Sequence, residues 1–147
     1  MPAISPRALI GDTSFWIAAF EPRDDEHKRA AKLLGDIRNH AVLLPWPITY
    51  EVLRTRTVRD ARKVATFDRA LRELKVIFVD DTPYRKVCLD LTLNQSSVGT
   101  RGISLVDMVI REILSTRRYR ITRLLTFNAA DFSDVCRREG IAIWPQT

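Results

Sequence analysis

Five short apolar runs, set apart by stretches with helical spacing, restrict the fold of this chain more than any other feature. The runs are Ala8-Leu9-Ile10, Ala41 to Leu44, Val76 to Val79, Ile121 to Thr126 and Ile141 to Trp144. Each has strand length, and the runs are apolar almost throughout, as strands buried on both faces must be. Between them lie Thr13 to Phe20, Asp24 to Arg38, a stretch opened by Pro47 and running through Arg56, and Val58 to Leu74. Thr82 to Asn94, Ser104 to Ser115 and a last segment near Asp131 to Glu139 follow. Ala30, Leu33, Leu34 and Ile37 share one helical face, as do Val106, Val109, Ile110, Ile113 and Leu114. Gln95 to Gly102 reads as a polar loop. Strands alternating with helices predict an α/β fold, a three-layer α/β/α domain around a mostly parallel sheet. With no internal repeat and no long linker, residues 1–147 are expected to form a single domain.

In such a sheet, segments that follow strands converge at the carboxyl-end rim, where ligands bind. Four acidic residues fall in such places. Asp12 ends the first strand, Glu51 lies in the helix after the second, Asp107 lies in the first turn of the Ser104 helix, and Asp131 follows the fourth strand. Each also has a structural role available. Asp12 can cap the Thr13 helix, Glu51 can be a solvated helix residue, Ser104 and Asp107 form a capping box, and Asp131 can pair with Asn128. The neighbours of Asp107 favour function. Ile103, Ile110 and Leu114 share its stripe, so its carboxylate leans toward apolar packing, and a buried charge needs a partner or a metal. Glu51 is similar, beside Ile48, Val52 and Thr55 with no cation on that edge. Carboxylates brought together repel one another, and Mg²⁺ or Mn²⁺ prefers such oxygen ligands.

The formal charge is +6, from 24 Lys and Arg against 18 Asp and Glu, which favours a polyanionic partner such as RNA. Arg54, Arg56, Arg59, Arg62 and Lys63 follow Glu51 and are candidates to track an RNA backbone, though a solvated helix face explains them equally well. Arg117-Arg118-Tyr119-Arg120 offers phosphate contacts with an aromatic for stacking, or a plain connection. Gly99-Thr100-Arg101-Gly102 is either a substrate loop or a turn, and it is not a nucleotide-binding glycine loop. Cys88 and Cys136 have no metal-ligand spacing and form no disulfide framework, so a reducing cytoplasm is the expected compartment. No run reaches the ~18 apolar residues of a membrane span, and Met1 to Arg7 carries no signal-peptide core. Two histidines, His27 and His40, lie away from the acidic positions, which argues against histidine-based RNA cleavage. Trp16, Trp46 and Trp144 are expected in the core or at a self-association surface.

Four segments carry a family resemblance over nearly the whole chain. Leu9-Ile10-Gly11-Asp12-Thr13-Ser14 resembles the opening strand and first Asp of the PIN-domain nucleases, among them the VapC-like toxins of toxin–antitoxin pairs. Ile48-Thr49-Tyr50-Glu51-Val52 is similar to the helix that carries their Glu, and Gly102-Ile103-Ser104-Leu105-Val106-Asp107 to their third acidic motif. Leu124 to Phe132 resembles the closing motif, with Asn128 where many members carry Asp and with Asp131 three residues later. The resemblance implies a five-stranded parallel sheet with helices on both sides, Mg²⁺- or Mn²⁺-dependent RNA cleavage, a homodimer and an inhibiting antitoxin. Asp12, Glu51, Asp107 and Asp131 would then hold one or two ions. The alternative is a non-catalytic PIN-like module that binds RNA or protein. A receiver-like signalling domain fits less well, for want of a Lys directly after a late strand.

Overall fold

The computed structural model describes residues 7–95 and 102–145. Its elements, in chain order, are β1 (Arg7–Gly11), α1 (Thr13–Phe20), α2 (His27–Asp36), β2 (Ala41–Pro45), α3 (Trp46–Val52), α4 (Thr55–Val58), α5 (Ala61–Glu73) and β3 (Lys75–Val79). A 3₁₀ turn at Thr82–Tyr84 leads into α6 (Arg85–Asn94); α7 (Leu105–Thr116) and β4 (Arg120–Leu125) come next. A second 3₁₀ turn at Ala129–Asp131 precedes α8 (Ser133–Glu139) and β5 (Ala142–Trp144). All strand pairs are parallel, and the order across the sheet is β3-β2-β1-β4-β5. The five expected strands are therefore present, in one parallel sheet.

From β1 the chain steps outward through β2 to β3, then crosses back to place β4 on the other side of β1. Right-handed crossovers put the helices of the first half on one face and those of the second half on the other. Reversal of strand order leaves a crevice between the carboxyl ends of β1 and β4, the usual ligand position in such sheets. On one side of the sheet Trp16 stacks on Phe20, which meets Phe67 edge-on at 5.1 Å between ring centres. Met108, Val109, Ile110, Ile113 and Leu114 of α7 and Val135 and Cys136 of α8 are buried. Gly11 is needed for close approach, because a Cβ there would lie 2.7 Å from the Phe15 ring. Trp16 is core, as expected, whereas Trp46 is partly exposed and stacks on Phe78. Trp144 is partly buried, with the Arg123 guanidinium 3.8 Å above its ring.

Helix boundaries differ from expectation in three places, at two of which an Asp side chain captures a backbone N–H. Asp24 accepts the Glu26 N–H at 2.8 Å, so residues 24–26 turn and α2 begins only at His27. The stretch expected from Pro47 to Arg56 ends at Val52, with Arg54 extended before α4. Asp60 accepts the N–H groups of Arg62 and Lys63 and starts α5 there rather than at Val58. The loop expected from Gln95 to Gly102 falls mainly outside the described residues, as do Gly99, Thr100 and Arg101. At its edges Gln95 bonds both the N–H and the carbonyl of Ile103. No helix among the described residues is long and apolar enough to cross a membrane.

Candidate active site: an acidic cleft at the sheet's switch point

Asp12 stands at the centre. Its backbone N–H donates to the Leu125 carbonyl at 3.0 Å, which ties it to the end of β4. The side chain is 1% exposed, caps α1 by accepting the Phe15 N–H, and takes hydrogen bonds from Ser14 Oγ and Thr126 Oγ1, each at 2.6 Å. Those two hydroxyls in turn accept the N–H groups of Phe127 and Asn128. Asp12 is thus both the helix cap and the hub of a hydrogen-bonded cage. Burial raises its pKa, against the lowering effect of the Ser14, Thr126 and Phe15 hydrogen bonds.

Around Asp12 opens a cleft of about 540 Å³ whose walls include Glu51 from α3 and Asp107 from α7. Ser104 caps α7 by accepting the Asp107 N–H at 3.1 Å, which fixes the first turn that carries the carboxylate. The Asp107 carboxyl is pushed up to about 6, first by burial and then by the negative charges of Asp12, Asp131 and Glu51. Sequence reasoning placed these three acids at a common rim, and the fold brings all three to one cleft. It missed Asp24, Asp25 and Glu26, which form part of the same wall. Those residues had been read as helix, and their signal was the run of three acids ahead of the apolar stripe. Thr126 was also missed as a ligand of Asp12, although a Thr directly after a buried strand is well placed for that contact.

Asn128 lines the cleft, but its side chain makes no capping bond; its carbonyl accepts the Asp131 N–H at 3.0 Å. Asp131 lies in the 3₁₀ turn, not in the first turn of α8, and it is not among the residues walling the cleft. Its charge still raises both Asp12 and Asp107. The acid in the first turn of α8 is Asp134, whose pKa is lowered to about 2 by the Arg111 guanidinium. Arg111 lies one helical turn beyond Asp107. It holds Asp134 through two bonds of 2.7 Å and donates to the Asp131 carbonyl at 2.8 Å. It therefore clamps the segment after β4 onto α7. Arg111→Ala is expected to cost about 1–2 kcal/mol, discounted for the exposure of Asp134. Urea denaturation beside Asp134→Asn, which keeps the carbonyl bond, checks this. Equal losses would mean that the bond to the Asp131 carbonyl contributes nothing.

Not all the cationic candidates lie near the acids. Arg54 and Arg56 are exposed, just after Glu51 in the chain. Arg117 and Arg118 lead into β4, whose first residue pairs with Arg7, so they sit at the amino end of that strand. That is a strand length, roughly 17 Å, from Asp12. Arg117 is engaged by Glu139 at 2.7 Å, and Arg118 lies over the Tyr84 ring. Phosphate contacts beside the acidic cleft cannot come from this pair. His27 bonds the Ala18 carbonyl through Nδ1, a structural use.

The donor set of the cleft is oxygen only, and its carboxylates repel one another. Thr13 Oγ1, beside Asp12 on the cleft wall, is buried with no hydrogen-bond partner among the described residues. No three acidic, His or Cys side chains among the described residues close around a single point. Such an arrangement fits a hard cation that keeps several waters and takes only one or two carboxylates, as Mg²⁺ does, better than a fully enclosing cage.

No family model matches the sequence, and no curated protein matches it. Solved structures do. VapC20 of Mycobacterium tuberculosis, a toxin that cleaves the sarcin–ricin loop, is similar with a TM-score of 0.65 and 19% identity, over 86% of this chain and 93% of that one. The fold is that of the VapC PIN domains. VapBC2 from Rickettsia felis, solved bound to a DNA fragment from its promoter, matches at a TM-score of 0.59 and 14% identity, over 92% and 96% of the two chains. DNA-bound VapBC from Salmonella typhimurium matches at 0.59 and 15%, over 93% and 96%. The PIN fold thus extends over most of this chain, as the four sequence segments implied.

Proposed function

We propose that this chain is a Mg²⁺- or Mn²⁺-dependent endoribonuclease that hydrolyses RNA phosphodiester bonds, and that it is the toxin of a VapBC-like toxin–antitoxin pair acting in the cytoplasm. The observation that carries this reading is the meeting of Asp12, Glu51 and Asp107, from three separate elements, in one cleft at the switch point of a PIN fold. In this reading Asp12 and Asp107 hold the ion, with Glu51 beside them. When bound, the ion supplies activation of water and neutralises charge on the phosphate. Ser14 and Thr126 fix the Asp12 oxygens, and the Ser104 cap fixes the turn of Asp107, so little reorganisation is left for the reaction. Asp131, outside the cleft wall, adds negative potential and acts through water on a looser ion.

A partner antitoxin would cover the cleft and offer a basic side chain to the carboxylates. The partly exposed Trp46, Tyr50, Ile77 and Phe78 would suit a homodimer. Incubation of the purified chain with single-stranded and looped RNA tests the reading. Cleavage should need Mg²⁺ or Mn²⁺ and stop in EDTA, and Asp131→Asn should raise the half-maximal metal concentration by about threefold to tenfold. Undiminished cleavage in EDTA would exclude the metal mechanism. A change in melting temperature alone would leave Asp131 a purely structural role.

A further inference from the structure

The acidic cleft repels an anionic polymer, so the affinity for RNA must come from cations beside it. A second depression, of about 350 Å³, is walled by Glu21, Pro22, Arg23, Arg56, Arg59, Asp60 and Lys63. Four cationic side chains there face two carboxylates, and both carboxylates are engaged. Glu21 is held by Lys63 and accepts the Arg23 N–H, while Asp60 caps α5. Among the described residues no carboxylate forms an ion pair with the guanidinium of Arg56 or Arg59, and that of Arg23 acts on Glu21 only through its charge, unlike Arg85, Arg111 and Arg117, which each hold an acid. Two stretches of chain wall both depressions. Glu21, Pro22 and Arg23 line the basic one, and the next three residues, Asp24, Asp25 and Glu26, line the acidic one. Likewise Glu51 lines the acidic cleft, and Arg56 and Arg59 line its neighbour after the chain breaks out of helix at Arg54.

We propose that the depression walled by Arg23, Arg56, Arg59 and Lys63 is a phosphate subsite that holds the backbone of single-stranded RNA just outside the acidic cleft. The proposal rests on the ribonuclease reading for the identity of the polymer. Its chemistry needs no base recognition, since guanidiniums grip phosphate oxygens in pairs and leave the sequence unread. The short helix α4 and its cap supply Arg56 and Arg59, the turn after α1 supplies Arg23 and the start of α5 supplies Lys63, so the site is a defined pocket rather than a diffuse basic face.

The test measures binding with cleavage silenced. A fluorescein-labelled oligouridylate of about twelve nucleotides is titrated with the full chain in EDTA, at several salt concentrations. Arg56→Ala/Arg59→Ala should weaken binding about tenfold and flatten the slope of log affinity against log salt by about 1.4. Arg56→Lys/Arg59→Lys should keep the slope while losing part of the affinity, because the charge remains and the paired grip does not. The charge-matched control is Arg118→Ala/Arg120→Ala, at the amino end of β4, which should change neither value by more than about twofold. Inorganic tripolyphosphate should compete with RNA on the wild-type chain and compete less well on the double alanine variant. Equal weakening by both alanine pairs, or none by Arg56→Ala/Arg59→Ala, would overturn the subsite. The nuclease reading fails separately. RNA bound through these arginines but left intact with Mn²⁺ would keep the subsite and remove the activity, whereas cleavage with an unchanged double variant would do the reverse.

Discussion

Asp12→Asn is expected to lower metal-dependent RNA cleavage by about 10³-fold, equivalent to ~4 kcal/mol, while leaving the fold intact. The cage around Asp12 explains why the two effects separate. An amide Oδ1 can go on accepting from the Phe15 N–H and the Ser14 hydroxyl. Its NH₂ then faces Thr126 Oγ1, and that hydroxyl can rotate to accept, since it has a lone pair beyond the one used by the Asn128 N–H. What is lost is the charge, in a position where burial already opposes it. The folded state therefore gives up an unfavourable ionisation and the cleft gives up its central ligand. Because the folded protein raises the Asp12 pKa, the melting temperature of Asp12→Asn should equal or exceed that of the wild type at neutral pH. Asp12→Ala, by contrast, removes the helix cap and strands two hydroxyls, and should lose about 1–2 kcal/mol as well as activity. An Asp12→Asn protein that cleaves RNA at the wild-type rate would show that the cage is only a cap.

The strands were legible because a parallel sheet covered on both faces demands uninterrupted apolar runs, and Ala8-Leu9-Ile10 and Val42-Leu43-Leu44 are such runs. β3 was legible for another reason: Val76, Ile77 and Val79 are β-branched and Phe78 is aromatic, even though it is an edge strand with Ile77 and Phe78 exposed. Helix ends were less legible. Their positions depend on which polar side chain captures a local N–H, and sequence spacing cannot rank Asp24 against His27 or Asp60 against Val58. The long stretch after Pro47 broke at Leu53 and Arg54, where no Gly or Pro announces a stop.

Within the site, Asp12, Glu51 and Asp107 share one cleft because the fold carries the end of β1, helix α3 and the first turn of α7 to the same rim. Asp131 was harder. Its position depends on whether the chain after β4 enters an α-helix at once or makes a 3₁₀ turn first, and one turn is enough to hand the helix terminus to Asp134. Arg111 holds this arrangement through Asp134 and the Asp131 carbonyl, and no sequence pattern links it to a residue 23 positions away. The cations divide along the same lines. Arg117 and Arg118 precede a strand, so the rule that collected the acids at the carboxyl end should have sent these two to the other end.

Asp107→Asn is expected to stabilise the metal-free protein at neutral pH while abolishing cleavage. The folded protein raises the Asp107 pKa from 3.8 to about 6, so its charged form is disfavoured by folding. The sign follows from linkage. A carboxyl with a raised folded pKa contributes fully to stability only below its unfolded value, and that contribution is lost as pH rises through the folded value. Wild-type and Asp107→Asn proteins should therefore be nearly equal in stability at about pH 4. Above pH ~6 the variant should be ahead by on the order of 1–2 kcal/mol, a figure reduced for partial solvent screening. Asp12 also carries a raised pKa, but it is present in both proteins, so the difference curve reports Asp107. Saturating Mn²⁺ should reverse the order. An ion that binds only the folded state stabilises in proportion to its affinity, and that affinity depends on the charge the variant lacks. Thermal unfolding in EDTA and in Mn²⁺, from about pH 4 to 8, measures all of this on one pair of proteins. Cleavage by the variant should be down about 10³-fold. If Asp107→Asn is the less stable protein in EDTA at pH ~7, the carboxylate is held by a favourable partner rather than by repelling neighbours, and the cation-holding role assigned to it falls.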